Sequence, residues 1–123
     1  MRILVVPALA LIWLTGTAAV PVAPPAAVVS VVLAGFVPGP DDHGPVRVAQ
    51  GGRLLLLNAD YPGEQQEHDI VHAAEVPLFW SPTVRSGQWA EVEGVERLPS
   101  GTYTFRCSVH PATMLGTLEV TGA

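Results

Sequence analysis

The apolar and polar positions of the chain fall into short segments of strand length, separated by turns rich in Gly and Pro. β-Branched and aromatic residues are concentrated in these segments, and none has the period of a convincing amphipathic helix. Seven or eight such strands favour an all-β chain folded as an antiparallel sandwich of two sheets. The predicted strands cover residues 28–37, 46–49, 53–58, 68–73, 88–95, 103–107 and 115–120.

Several of these segments indicate how they are buried. Residues 54–57 are continuously apolar, which is typical of a strand covered on both faces. Tyr103, Phe105 and Cys107 recur at every second position, so we expect them on one face of a strand. Tyr103 also follows a Leu-Pro-Ser-Gly turn, which predicts a tyrosine corner whose hydroxyl bonds back to that turn. Three further aromatic residues are assigned to packing in the core or at its rim: Phe79, Trp80 and Trp89.

The N-terminal residues have the pattern of a secretory signal. Arg2 supplies a positive charge, residues 3–14 are apolar, and Thr17-Ala18-Ala19 resembles a small-residue cleavage site. This pattern predicts a signal peptide over 1–19, a Pro- and Ala-rich spacer over 20–27, and one domain over 28–123. An uncleaved membrane anchor is the alternative, although the apolar stretch is shorter than the ~20 residues that span a bilayer.

Composition and charge narrow the possible partners. The 123 residues are enough for one domain, and all six basic residues are arginines. Without Arg2, five arginines face eleven Asp and Glu residues, a formal charge of −6. A surface this acidic repels nucleic acid and anionic lipid, so neither is expected as a partner.

The candidate chemistry lies between the last two predicted strands. Cys107 is the only cysteine of the sequence, His110 follows three positions later, and Met114 four beyond that. A thiolate, an imidazole and a thioether in one short loop suit a soft metal, and two His with one Cys and a weak axial Met is a copper geometry. Alone, Cys107 would be interpreted as an inert buried residue and Met114 as core filler. An exported thiol without a partner cysteine nevertheless needs an explanation, and a metal would provide one.

The second histidine of such a site must come from elsewhere in the chain. His68 and His72 are four residues apart, so in a strand they would point to the same face, and spacing does not separate them. His43 lies among turn-forming residues and is interpreted as a solvated loop histidine.

The combined pattern resembles the cupredoxins, the family of small blue copper proteins. The resemblance is carried by three segments: Leu-Pro-Ser-Gly-Thr-Tyr-Thr-Phe-Arg-Cys-Ser-Val-His-Pro over 98–111, Met114 with Gly-Thr-Leu-Glu-Val over 116–120, and Gly52, residues 54–57, Asn58 and Asp60 followed by Glu-His-Asp-Ile-Val over 67–71. It implies a Greek-key β-sandwich with His68, not His72, as the first ligand. The implied ligand set of one copper ion is His68, Cys107, His110 and Met114.

The resemblance also implies roles for residues around the ligands. Asp69 and Ser108 would hydrogen-bond to each other and orient the ligands that precede them. Near the surface, His110 would be flanked by an apolar docking patch of Val109, Pro111 and Leu115. The implied protein is a monomeric electron carrier, secreted or periplasmic, that meets a redox donor and acceptor transiently and contacts a membrane only if the N-terminal segment is retained.

Other functions are weighed against this interpretation. A copper chaperone or storage module without redox turnover is the main alternative, and a purely structural β-sandwich is the second. One Cys and two His would also suit zinc, but a thioether is a poor zinc ligand. The sequence has no Ser-His-Asp set, no phosphate-binding loop and no paired carboxylates at useful spacing, so an enzyme is not expected.

Overall fold

The computed structural model describes residues 26–39, 44–62 and 67–122, and it arranges them as two four-stranded sheets. Each strand is short because Gly- and Pro-containing turns interrupt the apolar segments. The strands are β1 (Ala27–Val32), β2 (Gly35–Val37), β3 (Val46–Ala49), β4 (Leu54–Asn58), β5 (Val71–His72), β6 (Trp89–Glu91), β7 (Gly101–Arg106) and β8 (Leu115–Thr121), with one 3-10 turn at Val95–Arg97. The predicted all-β sandwich of two sheets is confirmed.

The sheets are mixed, whereas the sequence pattern predicted antiparallel ones. The strand orders are β2-β1-β4-β6 and β3-β8-β7-β5, and the pairs β1–β4 and β3–β8 are parallel. Parallel neighbours need a crossover connection. Between β1 and β4 the chain crosses to the other sheet, where it forms β3, and then crosses back. As a result β4 runs in the same direction as β1.

The core lies between the two sheets. In β1, β3, β4 and β8 every second residue is buried, as in β4, where Leu54 and Leu56 are fully buried. Leu55 and Leu57 are only partly buried, so the prediction that this strand is covered on both faces is wrong. The ring of Phe105 packs edge-on against Phe36, with centroids 4.9 Å apart, and joins the two sheets at the centre of the core.

The segment 28–37 forms a hairpin instead of one strand. Leu33 and Ala34 have φ angles of 51° and 56°, which turn the chain back so that Val32 pairs with Gly35. Positive φ is unfavourable for both side chains, and the sequence lacks the Asn-Gly signal of such two-residue turns. A distant carboxylate stabilises this turn, because Asp60 accepts hydrogen bonds from the backbone N–H groups of both residues.

Two other predicted strands are shorter than expected. Of 68–73 only Val71–His72 is strand, and His68 instead forms an isolated bridge with Val84. Of 88–95 the structure has Trp89–Glu91 as strand, and the 3-10 turn begins at Val95.

The predicted tyrosine corner is present, because the Tyr103 hydroxyl donates to the Pro99 carbonyl at 2.7 Å.

Some predictions concern residues that the structure does not describe. The signal segment 1–19, most of the spacer and His43 lie outside the described residues. In the part of the chain that is described, no helix has both the length and the apolar character needed to cross a bilayer.

Candidate metal centre

The loop after β7 holds three of the predicted ligands in a closed turn. Cys107 directly follows β7, whose last residue Arg106 pairs with Leu115 at the start of β8. The Cys107 N–H donates to the Met114 carbonyl at 3.1 Å, and the Met114 N–H donates to the His110 carbonyl at 3.0 Å. These bonds fix where Cys107, His110 and Met114 leave the backbone, because the loop is tied at both ends to a paired strand.

His68 comes to this loop from a different part of the chain. It exchanges two backbone hydrogen bonds with Val84, of 3.1 and 2.8 Å, which fix its backbone against the segment before β6. Its Nδ1 atom lies 3.9 Å from the Cys107 Sγ atom, and its ring centroid lies 5.3 Å from that of His110. A metal ion is bound at about 2.0–2.1 Å by a nitrogen and at about 2.3 Å by a sulfur. With an angle of about 110–120° at the ion, the nitrogen and the sulfur are then about 3.6–3.8 Å apart. The separation of His68 and Cys107 is therefore close to that of a shared ion.

The full set is not gathered as tightly as this pair. Among the described residues, no group of three or more His, Cys, Asp and Glu side chains is arranged to hold a metal ion. Methionine is not among these four side-chain types, so this observation does not concern Met114. Met114 itself is fully buried. The fit to a soft metal therefore rests on the chemistry of the four donors and on the separation of His68 and Cys107.

Burial decides the protonation of the two central side chains. Desolvation lowers the pKa of His68, against the raising effect of nearby Asp60, and so favours the neutral imidazole that metal binding requires. Desolvation raises the pKa of Cys107, against the lowering effect of backbone N–H groups of Asp69, Val109 and His110. A metal must displace the thiol proton, and these N–H groups favour the thiolate that results.

Asp69 and Ser108 link the two segments that carry His68 and Cys107. The Asp69 carboxylate accepts from the Ser108 backbone N–H at 2.7 Å and from the Ser108 hydroxyl at 2.5 Å. The Asp69 N–H in turn points to the Cys107 Sγ atom at 3.5 Å. The hydrogen bond that the resemblance implied is present, and its effect on a bound metal stays a prediction.

His72, the alternative first ligand, is engaged elsewhere. Its Nδ1 atom accepts from the Leu78 N–H at 3.1 Å, and its ring stacks on Phe79 with centroids 4.8 Å apart. The same-face argument for His68 and His72 does not hold, because only Val71 and His72 are in a strand.

Two further features complete the surroundings of the loop. Val109 and Leu115 are 43% and 44% exposed, Pro111 is exposed, and His110 is partly buried among them. On the inner side, the Asp60 Oδ2 atom lies 3.3 Å from the His68 Nε2 atom. From sequence, Asp60 could be placed only in the first-ligand region, because it lies eight residues before His68 and this spacing does not indicate a contact.

Comparison with solved structures identifies the fold, whereas no family model and no curated protein matches the sequence. A reduced Cu(I) form of an amicyanin variant is 23% identical, covers 81% of this chain and 86% of its own, and has a TM-score of 0.58. A purple cupredoxin from Nitrosopumilus maritimus is 20% identical over 77% of this chain and 99% of its own, with a TM-score of 0.59. A copper-containing nitrite reductase from Thermus scotoductus SA-01 is 25% identical, with a TM-score of 0.60. Its match covers 98% of this chain but only 28% of the reductase.

The sandwich described above is a cupredoxin fold, as these neighbours show.

Proposed function

We propose that this chain is an exported type 1 copper protein that carries single electrons between redox partners. His68, Cys107 and His110 would bind the ion strongly, and Met114 would bind it weakly along the axis. The observation that carries the proposal is the 3.9 Å separation of His68 Nδ1 and Cys107 Sγ, since these atoms come from segments 39 residues apart in the chain.

The protein residues would contribute rigidity and exclusion of water. Copper, when bound, would supply a one-electron couple between Cu(I) and Cu(II). His68, Cys107 and Met114 are buried, and the backbone bonds of Cys107 and the Asp69–Ser108 pair restrict their movement. A donor set held in one arrangement reorganises little when the charge of the ion changes, which favours fast electron transfer.

Partners would approach at the exposed edge of the loop. His110 is partly buried, and Val109, Pro111 and Leu115 are exposed. Together these residues would form a small apolar patch. Transient redox complexes use interfaces at the small end of the range. Because the chain is acidic, a partner with a basic surface is expected, with an association rate that falls as salt increases.

A carrier is favoured over an enzyme because four protein ligands leave no open position for a substrate. A copper chaperone remains the alternative outcome of the following test. The purified protein, without its N-terminal segment, should develop an intense visible thiolate-to-copper absorption on addition of one equivalent of Cu(II). The colour should disappear on reduction and return on reoxidation. A protein that holds only Cu(I) and releases it readily would indicate a chaperone, and the absence of any such absorption would refute the type 1 site.

The Asp69 bridge supplies a graded prediction. Asp69→Ala should weaken copper binding by about 10–100-fold and shift the reduction potential, because it removes both hydrogen bonds between the Asp69 carboxylate and Ser108. Ser108→Ala should have a smaller effect, because it retains the backbone N–H donor to Asp69. Competition titration with a chelator and a redox titration measure both. Wild-type affinity and potential in Asp69→Ala would contradict the bridging role.

A further inference from the structure

Asp60 has a buried carboxylate that contacts three separate parts of the chain. Its Oδ1 atom accepts from the backbone N–H groups of Leu33, at 3.2 Å, and Tyr61, at 3.1 Å. Its Oδ2 atom accepts from the Ala34 N–H at 2.9 Å and lies 3.3 Å from His68 Nε2. One side chain therefore joins the turn between β1 and β2 to the inner face of the candidate metal centre.

The contact with Asp60 is made at a nitrogen of His68 to which no described residue is hydrogen-bonded. Nε2 is buried, and within the described chain it has no partner with full hydrogen-bond geometry. The Asp60 Oδ2 atom lies 3.3 Å from it, and the contact is an electrostatic one. A buried N–H group without compensation costs about 1–3 kcal/mol.

The surroundings of the carboxylate favour its anionic form. Three backbone N–H groups, those of Leu33, Ala34 and Tyr61, donate hydrogen bonds to its two oxygens. An anion at Nε2 favours the tautomer with its proton on that nitrogen. That tautomer leaves the Nδ1 lone pair free on the side of the ring that approaches Cys107.

We propose that Asp60 is a positioning residue for His68: its carboxylate holds the Nε2–H tautomer and places a negative charge behind a metal-binding imidazole. Carboxylate–histidine–metal arrangements of this kind orient the ring and raise the basicity of the ligand. The charge stabilises the more oxidised ion more strongly, so it lowers the reduction potential. The metal-dependent part of this inference rests on the proposed copper function.

A purely structural role is the competing explanation, because Asp60 also stabilises an unfavourable turn. Leu33 and Ala34 have positive φ, and loss of their carboxylate partner would destabilise the hairpin. The double substitution Leu33→Asn and Ala34→Gly introduces the residues that such a turn prefers. This background makes the turn independent of Asp60 and leaves His68 unchanged.

The first test compares Asp60→Asn in two copper-loaded backgrounds, the wild-type protein and the protein with Leu33→Asn and Ala34→Gly. Copper affinity should fall by about 10–100-fold, with the larger loss in the Cu(II) form. Each tenfold loss specific to Cu(II) raises the potential by about 59 mV for a one-electron couple. The Asn-Gly turn should restore the melting temperature but not the potential. An unchanged potential, or one that the turn substitutions restore, would overturn the proposal.

The second test needs no metal. Nitrogen NMR of the metal-free Asn-Gly turn protein at neutral pH should find His68 as the Nε2–H tautomer, and Asp60→Ala should abolish this preference. A mixed tautomer before substitution, or no change after it, would refute the positioning role. If wild-type protein binds no copper but the tautomer responds, the proposed function fails alone. If copper binds with the visible band and neither potential nor tautomer responds to Asp60, the positioning role fails alone.

Discussion

Cys107→Ser should abolish the visible absorption of the copper-loaded protein and reduce copper affinity by more than the ~10–100-fold that loss of an outer partner costs. The thiolate is the donor that makes the site selective for a soft ion, and a serine hydroxyl stays protonated and binds copper poorly. Because Cys107 is fully buried, the hydroxyl should also destabilise the fold by about 1–3 kcal/mol if it finds no partner. Absorption spectroscopy and calorimetric titration with copper measure the loss.

The two neighbouring histidines provide a matched control for this result. His68→Gln should lose the visible band, whereas His72→Gln should retain it, because His72 contacts Leu78 and Phe79 instead of Cys107. The His72 variant should lose only about 0.5–1.5 kcal/mol of stability with its hydrogen bond. A retained band in Cys107→Ser, or its loss in His72→Gln alone, would contradict the assigned ligand set.

Local features of the fold could be predicted from the sequence, and features that depend on distant contacts could not. The bounds of β3 match the prediction, and β8 extends it by one residue, because alternation and turn residues define both strands locally. The hairpin at Leu33 was missed because the turn is stabilised by Asp60, 26 to 27 residues away. The parallel pairs were missed because local pattern gives the direction of a strand only relative to its immediate neighbour.

The candidate site follows the same distinction. Cys107, His110 and Met114 could be predicted together because they share one short loop between paired strands. The choice of His68 over His72 required a resemblance, since the strand geometry assumed for 68–73 gave both the same face. The metal-binding roles themselves stay predictions. The contact of Asp60 with His68 could not be predicted from their separation in the sequence, because residues typical of turns lie between them and no regular period relates the two positions.

Gly116→Ala should be among the most destabilising small substitutions in the chain. Gly116 pairs with Phe105 across β7 and β8, and a Cβ atom at this position would lie 2.6 Å from Phe105 Cε1. Its φ is not positive, so the cost is steric. Overpacking of a core costs about 1–3 kcal/mol and occasionally more, which corresponds to roughly 4–8 °C in melting temperature per kcal/mol for a domain of this size. Gly122→Ala is the matched control, because a Cβ atom there meets nothing within 4 Å.

A double-mutant cycle separates this clash from other effects of the substitution. Phe105→Leu alone should destabilise the protein, because it removes the edge-on contact with Phe36. Combined with Gly116→Ala, it should cost about 0.5–3 kcal/mol less than the sum of the two, since the smaller side chain relieves the clash. Strict additivity would mean that Phe105 is not the obstacle. Phe105 lies on β7, two residues before Cys107 in the chain. The copper spectrum of Gly116→Ala therefore also measures whether a displacement in the core reaches the proposed site.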